Sequence, residues 1–158
     1  MTEDAKFEDG REAPLNLGAF DAEDLEVLSS LVQDAVFTIT DMAWRPQERR
    51  LAFLVNRFRW EDEGRQRHGA ERVRAVLVID NVLGVASQGI DRGDKGTILS
   101  VLSIGFEPDA ADDVSGYITL TLAGDGAVRA RIEALEVTLR DVTRPYGAPS
   151  GKAPDHGA

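Results

Sequence analysis

The segment from Tyr117 to Ile132 constrains the fold more than any other, because it specifies a β-hairpin. Two stretches of alternating apolar and polar residues are joined by Gly124-Asp125-Gly126. A three-residue turn there, with Gly126 in the left-handed conformation, keeps apolar residues opposite one another. The predicted apolar pairs are Leu122 with Val128, Leu120 with Ala130, and Ile118 with Ile132. The hairpin therefore has one apolar face, and its polar face carries Arg129 and Arg131.

Composition limits the chemistry that is open to this chain. Its 158 residues suffice for one domain with a hydrophobic core. The absence of cysteine excludes disulfides, thiolate metal ligands and cysteine nucleophiles. The acidic N-terminal stretch lacks the apolar core of a signal peptide, and no run approaches the ~20 apolar residues of a membrane span. We therefore expect a cytoplasmic protein that makes no membrane contact.

Periodicity predicts a single α+β domain over residues 15–144, between a disordered acidic N-terminus (1–14) and a disordered tail (145–158). Asp21 is a natural N-cap for a helix that extends to Gln33. Beyond the hairpin, strands are predicted over 36–44, 51–60, 72–80, 82–87 and 98–106. In the last of these, the pattern places Ile98, Leu102 and Ile104 in the core.

Residues 133–142 allow two interpretations. A bulged strand would keep Leu135, Val137 and Leu139 together, whereas a helix would collect Leu135, Leu139 and Val142 on one face. The high helix propensity of Glu-Ala-Leu-Glu and the stop at Pro145 favour the helix. The predicted fold is then a strongly bent, mostly antiparallel sheet of six or seven strands with an N-terminal helix and a short C-terminal helix. Such a sheet would form a pleckstrin-homology-like roll or a partly open barrel.

Basic residues are concentrated in one part of this acidic chain. Nine of the eighteen basic residues lie between Arg45 and Arg74, all of them arginine, in a chain whose net charge is −10. The best binding candidate combines residues 56–60 (Asn-Arg-Phe-Arg-Trp) with two arginines of the next strand. We call its four arginines, Arg57, Arg59, Arg72 and Arg74, the predicted arginine face. Trp60 belongs to the same candidate. The alternative is that these arginines are ordinary solvent-face residues that offset nearby acids.

A second candidate is the polar loop that contains Asp91 and Arg92. Its aspartates resemble ligands of a hard cation, but the further acids of a calcium loop are missing, and turn aspartates commonly bind their own backbone. The two histidines, His68 and His156, have no partner at metal-ligand spacing. We therefore predict no metal, no cofactor and no catalytic residue.

Three segments carry a resemblance to a known family. They are residues 31–36 (Leu-Val-Gln-Asp-Ala-Val), 56–61 (Asn-Arg-Phe-Arg-Trp-Glu) and 87–92 (Ser-Gln-Gly-Ile-Asp-Arg). In this order and spacing, together with the hairpin and the ending from Leu135 to Asp141, they resemble the bacterial family catalogued as domain of unknown function 2948. The resemblance implies a small intracellular bacterial protein and transfers no catalytic residue.

The leading hypothesis is a non-enzymatic binding or regulatory module that contacts a protein or a small anionic ligand through the predicted arginine face. The alternatives are an enzyme that acts on a small anionic substrate and a weak nucleic-acid binder, of which nucleic-acid binding is the less favoured. The sequence leaves the activity, the partner and the oligomeric state open. It also leaves open whether Arg129 and Arg131 join Arg57 and Arg59 in one basic surface.

Overall fold

A computed structural model describes residues 14–60, 71–144 and, for the backbone alone, 146–147. Eleven strands and one α-helix form within these residues. In chain order they are β1 (Asn16–Ala19), α1 (Ala22–Val32), β2 (Val36–Phe37), β3 (Met42–Arg45), β4 (Arg50–Phe58), β5 (Glu71–Ile79), β6 (Val82–Gln88), β7 (Leu99–Pro108), β8 (Gly116–Leu122), β9 (Ala127–Ile132), β10 (Val137–Asp141) and β11 (Tyr146–Gly147). Apart from Pro14 and β11, the ends predicted to be disordered lie outside the described residues.

The strands form one open, antiparallel sheet rather than a closed barrel. Its order is β1-β10-β5-β4-β2-β7-β8-β9-β6, with β3 added beside β4 and β11 beside β5. β2 joins the two halves, because Val36 pairs with Asn56 of β4 and with Ser100 of β7. The mostly antiparallel sheet with an N-terminal helix is confirmed. The strand count exceeds the predicted six or seven because short pairings such as β1 and β11 leave no clear pattern of alternation.

Helix α1 begins and ends where the sequence predicts. Asp21 is the N-cap, and its carboxylate accepts the backbone N–H of Asp24 at 2.8 Å. The helix buries Leu25, Leu28 and Val32 and packs against β7 and β1. No helix in the described residues is long and apolar enough to cross a membrane.

The hairpin has the predicted faces but a different register. Leu120 pairs with Val128, Ile118 with Ala130 and Gly116 with Ile132, so each partner is displaced by two residues. A two-residue displacement preserves both faces, since side chains alternate with a period of two. Positive φ angles occur at Gly124 (82°) and Asp125 (70°) rather than at Gly126. Gly126 instead directly precedes β9, and its carbonyl accepts the Leu122 N–H at 2.8 Å.

The predicted C-terminal helix is wrong, because residues 137–141 form strand β10. Its register sets Leu139 opposite Leu77 of β5, and Val137 and Leu139 are fully buried. Pairing with both β1 and β5 satisfies the backbone of β10 and outweighs the local helix propensity. The likeness to a pleckstrin-homology-like roll rested on the strand count and on this helix, and the structure supports neither.

Strand β7 departs from simple alternation at a bulge. Its pairing with β8 shifts between Val101 and Ser103, so the extra residue Leu102 turns outward. Val101 and Ile104 are buried, whereas Leu102 is 43% exposed and Ile98 is 68% exposed. Ile104 is thus a core residue as predicted, but the predictions for Ile98 and Leu102 are wrong.

Candidate functional site

Arg57 is buried in an ion pair and is not a surface residue. Its Nε and Nη2 each donate to an oxygen of the Asp141 carboxylate at 3.0 Å, and its Nη1 donates to the Phe58 carbonyl at 3.1 Å. The same carboxylate accepts the Leu15 N–H at 2.8 Å. The Arg57 side chain is 0% exposed and that of Asp141 is 2% exposed. This pair therefore links β4, β10 and the segment before β1 inside the fold.

Arg59 is also directed away from solvent. It is 5% exposed and donates from Nη1 to the Glu71 carboxylate at 2.8 Å. The odd positions of β4 face the core, whereas the sequence pattern suggested that the even positions do, because the aromatic residues Phe58 and Trp60 occupy them. The predicted arginine face is therefore wrong for Arg57 and Arg59, which extend the core row of β4.

Most arginines between residues 45 and 74 form ion pairs with acidic side chains. Seven of the nine lie in the described residues, and five of these seven form ion pairs. The pairs are Arg45–Glu48, Arg49–Glu133, Arg50–Asp80, Arg57–Asp141 and Arg59–Glu71. The hydrogen bond from Arg50 to Asp80 raises the pKa of Arg50 above its ordinary value. The offsetting of acids thus accounts for most of the cluster, but Arg57 and Arg59 are not the solvent-face residues that the plainer sequence interpretation assumed.

Arg72, Phe58 and Trp60 pack together on the outer face of the sheet. Arg72 lies opposite Phe58 in the β4–β5 ladder, and its guanidinium carbon is 4.3 Å from the centre of the Phe58 ring. Trp60 contacts Phe58 at a ring distance of 5.7 Å and donates its indole N–H to the Gln33 carbonyl at 2.8 Å. The Nε of Arg72 is buried without a hydrogen-bond partner within the described residues. Arg72 is thus held by stacking and keeps one unused donor.

Arg74 is the member of the predicted arginine face that remains available for binding. It is exposed, and within the described residues it makes no ion pair. Its side chain lies at a cavity of about 200 Å³, which we call the Arg74 pocket. Its polar lining residues include Asp41, Asn56 and Arg74. Its apolar lining residues include Phe37, Leu54 and Ile98.

Asn56 gives the Arg74 pocket an unsatisfied acceptor. It lies directly opposite Arg74 in the β4–β5 ladder, and its Oδ1 is buried with no hydrogen-bond partner among the described residues. Such an orphaned group costs about 1–3 kcal/mol, which a ligand donor could recover. Asp41 lines the same pocket without an ion pair to Arg74, and its Oδ2 accepts the Thr38 N–H at 2.9 Å and the Thr38 hydroxyl at 3.1 Å. The pocket thus offers a cation and an acceptor side by side.

Asp91 and Arg92 lie apart from the Arg74 pocket. Both are exposed; Asp91 accepts the Gly93 N–H at 2.9 Å, and Arg92 donates to the Ser87 hydroxyl at 2.8 Å. The aspartate thus bonds its own turn, as the plainer interpretation held. Within residues 14–60 and 71–144, no three acidic or histidine side chains converge on a metal site. His68 and His156 lie outside the described residues.

The arginines of the hairpin form a separate polar cluster. Arg131 donates to both oxygens of Asp109, at 2.9 and 2.6 Å, and this contact lowers the pKa of Asp109 and raises that of Arg131. The backbone N–H groups of Val114 and Ser115 lower the pKa of Asp112 in the adjoining loop. Since Arg57 and Arg59 are buried, the two arginine pairs do not combine into one surface.

The sequence reasoning included Asn56 in its best candidate without a role of its own, and it connected neither Asp41 nor Ile98 with that candidate. Asn56 lies in segment 56–60, and its position opposite Arg74 follows from the β4–β5 register. The alternation pattern placed Ile98 in the core. No local sequence signal indicates the bulge in β7, which changes the side of the sheet to which alternate residues point. Both positions depend on strand register, which cannot be read from a single sequence.

Similarity to known proteins rests on one family. No curated protein and no solved structure matches the chain significantly. A family model described as a protein of unknown function, DUF2948, matches residues 15–156, which include the hairpin, the Arg74 pocket and the buried Arg57–Asp141 pair. The chain therefore belongs to the DUF2948 family, as the three quoted segments indicated.

Proposed function

We propose that the protein is a non-enzymatic binding or regulatory module that holds an anionic group in the Arg74 pocket. One observation carries this proposal: the exposed Arg74 lies directly opposite Asn56. Among the described residues Arg74 has no ion pair, and the buried Oδ1 of Asn56 has no hydrogen-bond partner. A carboxylate could accept from Arg74 while a neighbouring hydroxyl or amide of the ligand donates to Asn56. Arg72, on the same outer face, adds positive charge nearby.

The size of the pocket limits the ligand. Pockets for drug-sized ligands measure about 300–1,000 Å³, whereas the Arg74 pocket measures about 200 Å³. It therefore suits a small carboxylate, or an acidic side chain that a partner protein inserts. The apolar walls formed by Leu54, Phe37 and the exposed Ile98 favour a ligand with a short apolar body beside its anionic group.

A thermal-shift titration tests the small-ligand form of this proposal. Acetate, butyrate, lactate and phosphate serve as probes, each at constant ionic strength. A ligand at 100 times its Kd stabilises by about 2.7 kcal/mol, which raises the Tm of a chain of this size by roughly 5–10 °C. Arg74→Gln should abolish the shift, and Asn56→Ala should reduce it most for lactate, whose hydroxyl can donate.

Arg140→Gln is the matched control, since Arg140 is an exposed arginine of β10 without an ion pair among the described residues. An equal shift in Arg74→Gln and wild type would overturn the pocket as the binding site.

The protein-partner form needs affinity purification from the native cell. Arg74→Glu should release any partner that inserts an acidic side chain, whereas Arg140→Glu should retain it. If both variants keep every copurifying protein, and no probe anion shifts the Tm, the proposal is wrong. A bacterial cytoplasmic location belongs to the same proposal and is tested by fractionation of the native cells.

A further inference from the structure

A second concave region lies on the polar face of the hairpin, in the other half of the sheet. We call it the Arg129 groove, and its volume is about 470 Å³. Its floor consists of small residues on adjacent strands, including Ala86, Thr119 and Ala127. Arg129 pairs with Ala86 on one side and with Thr119 on the other. A long charged side chain therefore stands in a row of short ones, and the groove is within the size range of small-molecule sites.

Arg129 is fixed in place, and its donors are unused. Its guanidinium carbon lies 3.8 Å from the centre of the Tyr117 ring, and that of Arg131 lies 5.0 Å from the same centre. Arg131 is committed to Asp109 by two hydrogen bonds. Arg129 has neither an ion pair nor a hydrogen bond from its side chain within the described residues. Stacking thus orients a planar fork of donors, which matches a carboxylate in a two-point contact.

Glu107 places a negative charge at the other side of the groove. It pairs with Tyr117, so it lies on β7, while Arg129 lies on β9 and β8 runs between them. Two strand spacings and an offset of two residues along the strands separate their Cα atoms by about 12 Å. The Arg129 guanidinium lies over Tyr117 and thus leans toward the row of Glu107. No ion pair joins Glu107 to Arg129 or to another described residue. The groove therefore presents two separated charges of opposite sign, neither neutralised by a described neighbour.

We infer that the Arg129 groove binds a short zwitterionic peptide, with its terminal carboxylate on Arg129 and its terminal ammonium group at Glu107. An extended chain spans about 3.3–3.6 Å per residue, so a tripeptide sets its two terminal charges about 10 Å apart. The small floor residues leave room for its backbone, and Thr119 adds a hydroxyl that can donate or accept. This inference uses a different surface from the Arg74 pocket and stands independently of it.

Calorimetric titration of the whole protein with triglycine tests the inference. N-acetyl-triglycine removes the ammonium group, and triglycine amide removes the carboxylate. Each modified peptide should bind about 10- to 100-fold more weakly than triglycine, the loss expected for one charge-assisted contact. Glycine, which holds its two charges too close together, should bind more weakly than triglycine as well.

Variants assign the two contacts. Arg129→Lys keeps the charge but loses the planar fork, so it should weaken triglycine binding while leaving the preference for a free N-terminus intact. Glu107→Gln should bind triglycine and N-acetyl-triglycine equally well. Arg140→Gln, which removes an exposed arginine from the other half of the sheet, should leave triglycine binding unchanged. Circular dichroism and unchanged Tm values establish that each variant is folded.

Two results would overturn the inference. One is the absence of any heat or chemical-shift change with triglycine at millimolar concentration. The other is binding that Arg129→Lys and Glu107→Gln leave unchanged, which would place the peptide elsewhere.

Discussion

The guanidinium of Arg57 and the carboxylate of Asp141 meet in two parallel contacts of 3.0 Å, across the strand that separates their own. Asp141 lies opposite Ala75 of β5 and Arg57 lies opposite Val73, so the pair reaches across β5 and two residues along it. Both charges are removed from water, and their pairing offsets part of the cost of burying them. Because the same carboxylate also accepts the Leu15 N–H, the pair fixes the start of the domain to its last long strand.

Breaking this pair should strongly destabilise the fold. Arg57→Met leaves Asp141 as an uncompensated buried charge, so we expect the free energy of unfolding to fall by about 3–5 kcal/mol. The double variant Arg57→Met with Asp141→Leu should lose less than the sum of the two single variants, because it buries no unpaired charge. Urea denaturation monitored by circular dichroism measures all three variants.

The matched control is Arg50→Met in the exposed pair Arg50–Asp80, for which the expected loss is below about 1 kcal/mol. A similar small loss in Arg57→Met would contradict a stabilising role of the buried pair.

Two valines distinguish strand β10 from the helix that the sequence favoured. Val137 is fully buried, whereas Val142 is 46% exposed; a helix would have placed Val142 on its buried face. Val137→Ala should therefore cost about 2 kcal/mol, and Val142→Ala less than about 0.5 kcal/mol. Chemical denaturation of both variants provides the comparison. The reverse order of the two losses would support the helix.

Acid should weaken the contact between Asp109 and Arg131. The hydrogen bond from Arg131 lowers the pKa of Asp109 in the folded protein, so the bond stabilises the fold above the ordinary carboxyl pKa. This stabilisation is lost as the pH falls through the lowered, folded-state value. Asp109→Asn should therefore have a lower urea midpoint than wild type at pH 7, and the two midpoints should converge in acid.

Arg131→Met removes the same interaction from the other side and should show the same convergence. A difference from wild type that stayed constant from neutral to acidic pH would contradict this origin.

Two glycines on facing strands should respond differently to alanine. A Cβ at Gly116 would lie 2.8 Å from the Cα of Pro108, where backbone cannot yield easily, whereas a Cβ at Gly105 would meet nothing within 4 Å. Gly116→Ala should therefore destabilise by at least about 1–3 kcal/mol, since overpacking forces strands β7 and β8 apart. Gly105→Ala should be neutral or slightly stabilising. Thermal unfolding of the two variants shows which order holds.

Local sequence patterns correctly predicted the elements that are specified by residues close together in the chain. The Asp21 cap and the spacing of Leu25, Leu28 and Val32 define α1 without any tertiary knowledge. The faces of the hairpin followed in the same way, although its pairing partners did not. A shift of two residues conserves every face, so alternation alone cannot distinguish one register from the other.

The candidate site was less accessible to sequence reasoning. Both faces of β4 carry large residues near its end, with Arg57 and Arg59 on one and Phe58 and Trp60 on the other. The sequence pattern assigned the face with the aromatic residues to the core. The face with Arg57 and Arg59 is buried instead, because Asp141, which is distant in sequence, pairs with Arg57. Arg72 and Arg74 were identified correctly as outer-face arginines, and the register with β4 then placed Arg74 opposite Asn56.

The sequence by itself determined the family, the helix, the two faces of the hairpin and the presence of a basic cluster. All of these depend on residue order over short distances. Tertiary structure decided which arginines are buried, that residues 137–141 form a strand, and where a pocket opens beside Arg74. Those outcomes depend on which strands pair and at what register, and the free energy of such pairing belongs to residues far apart in the chain.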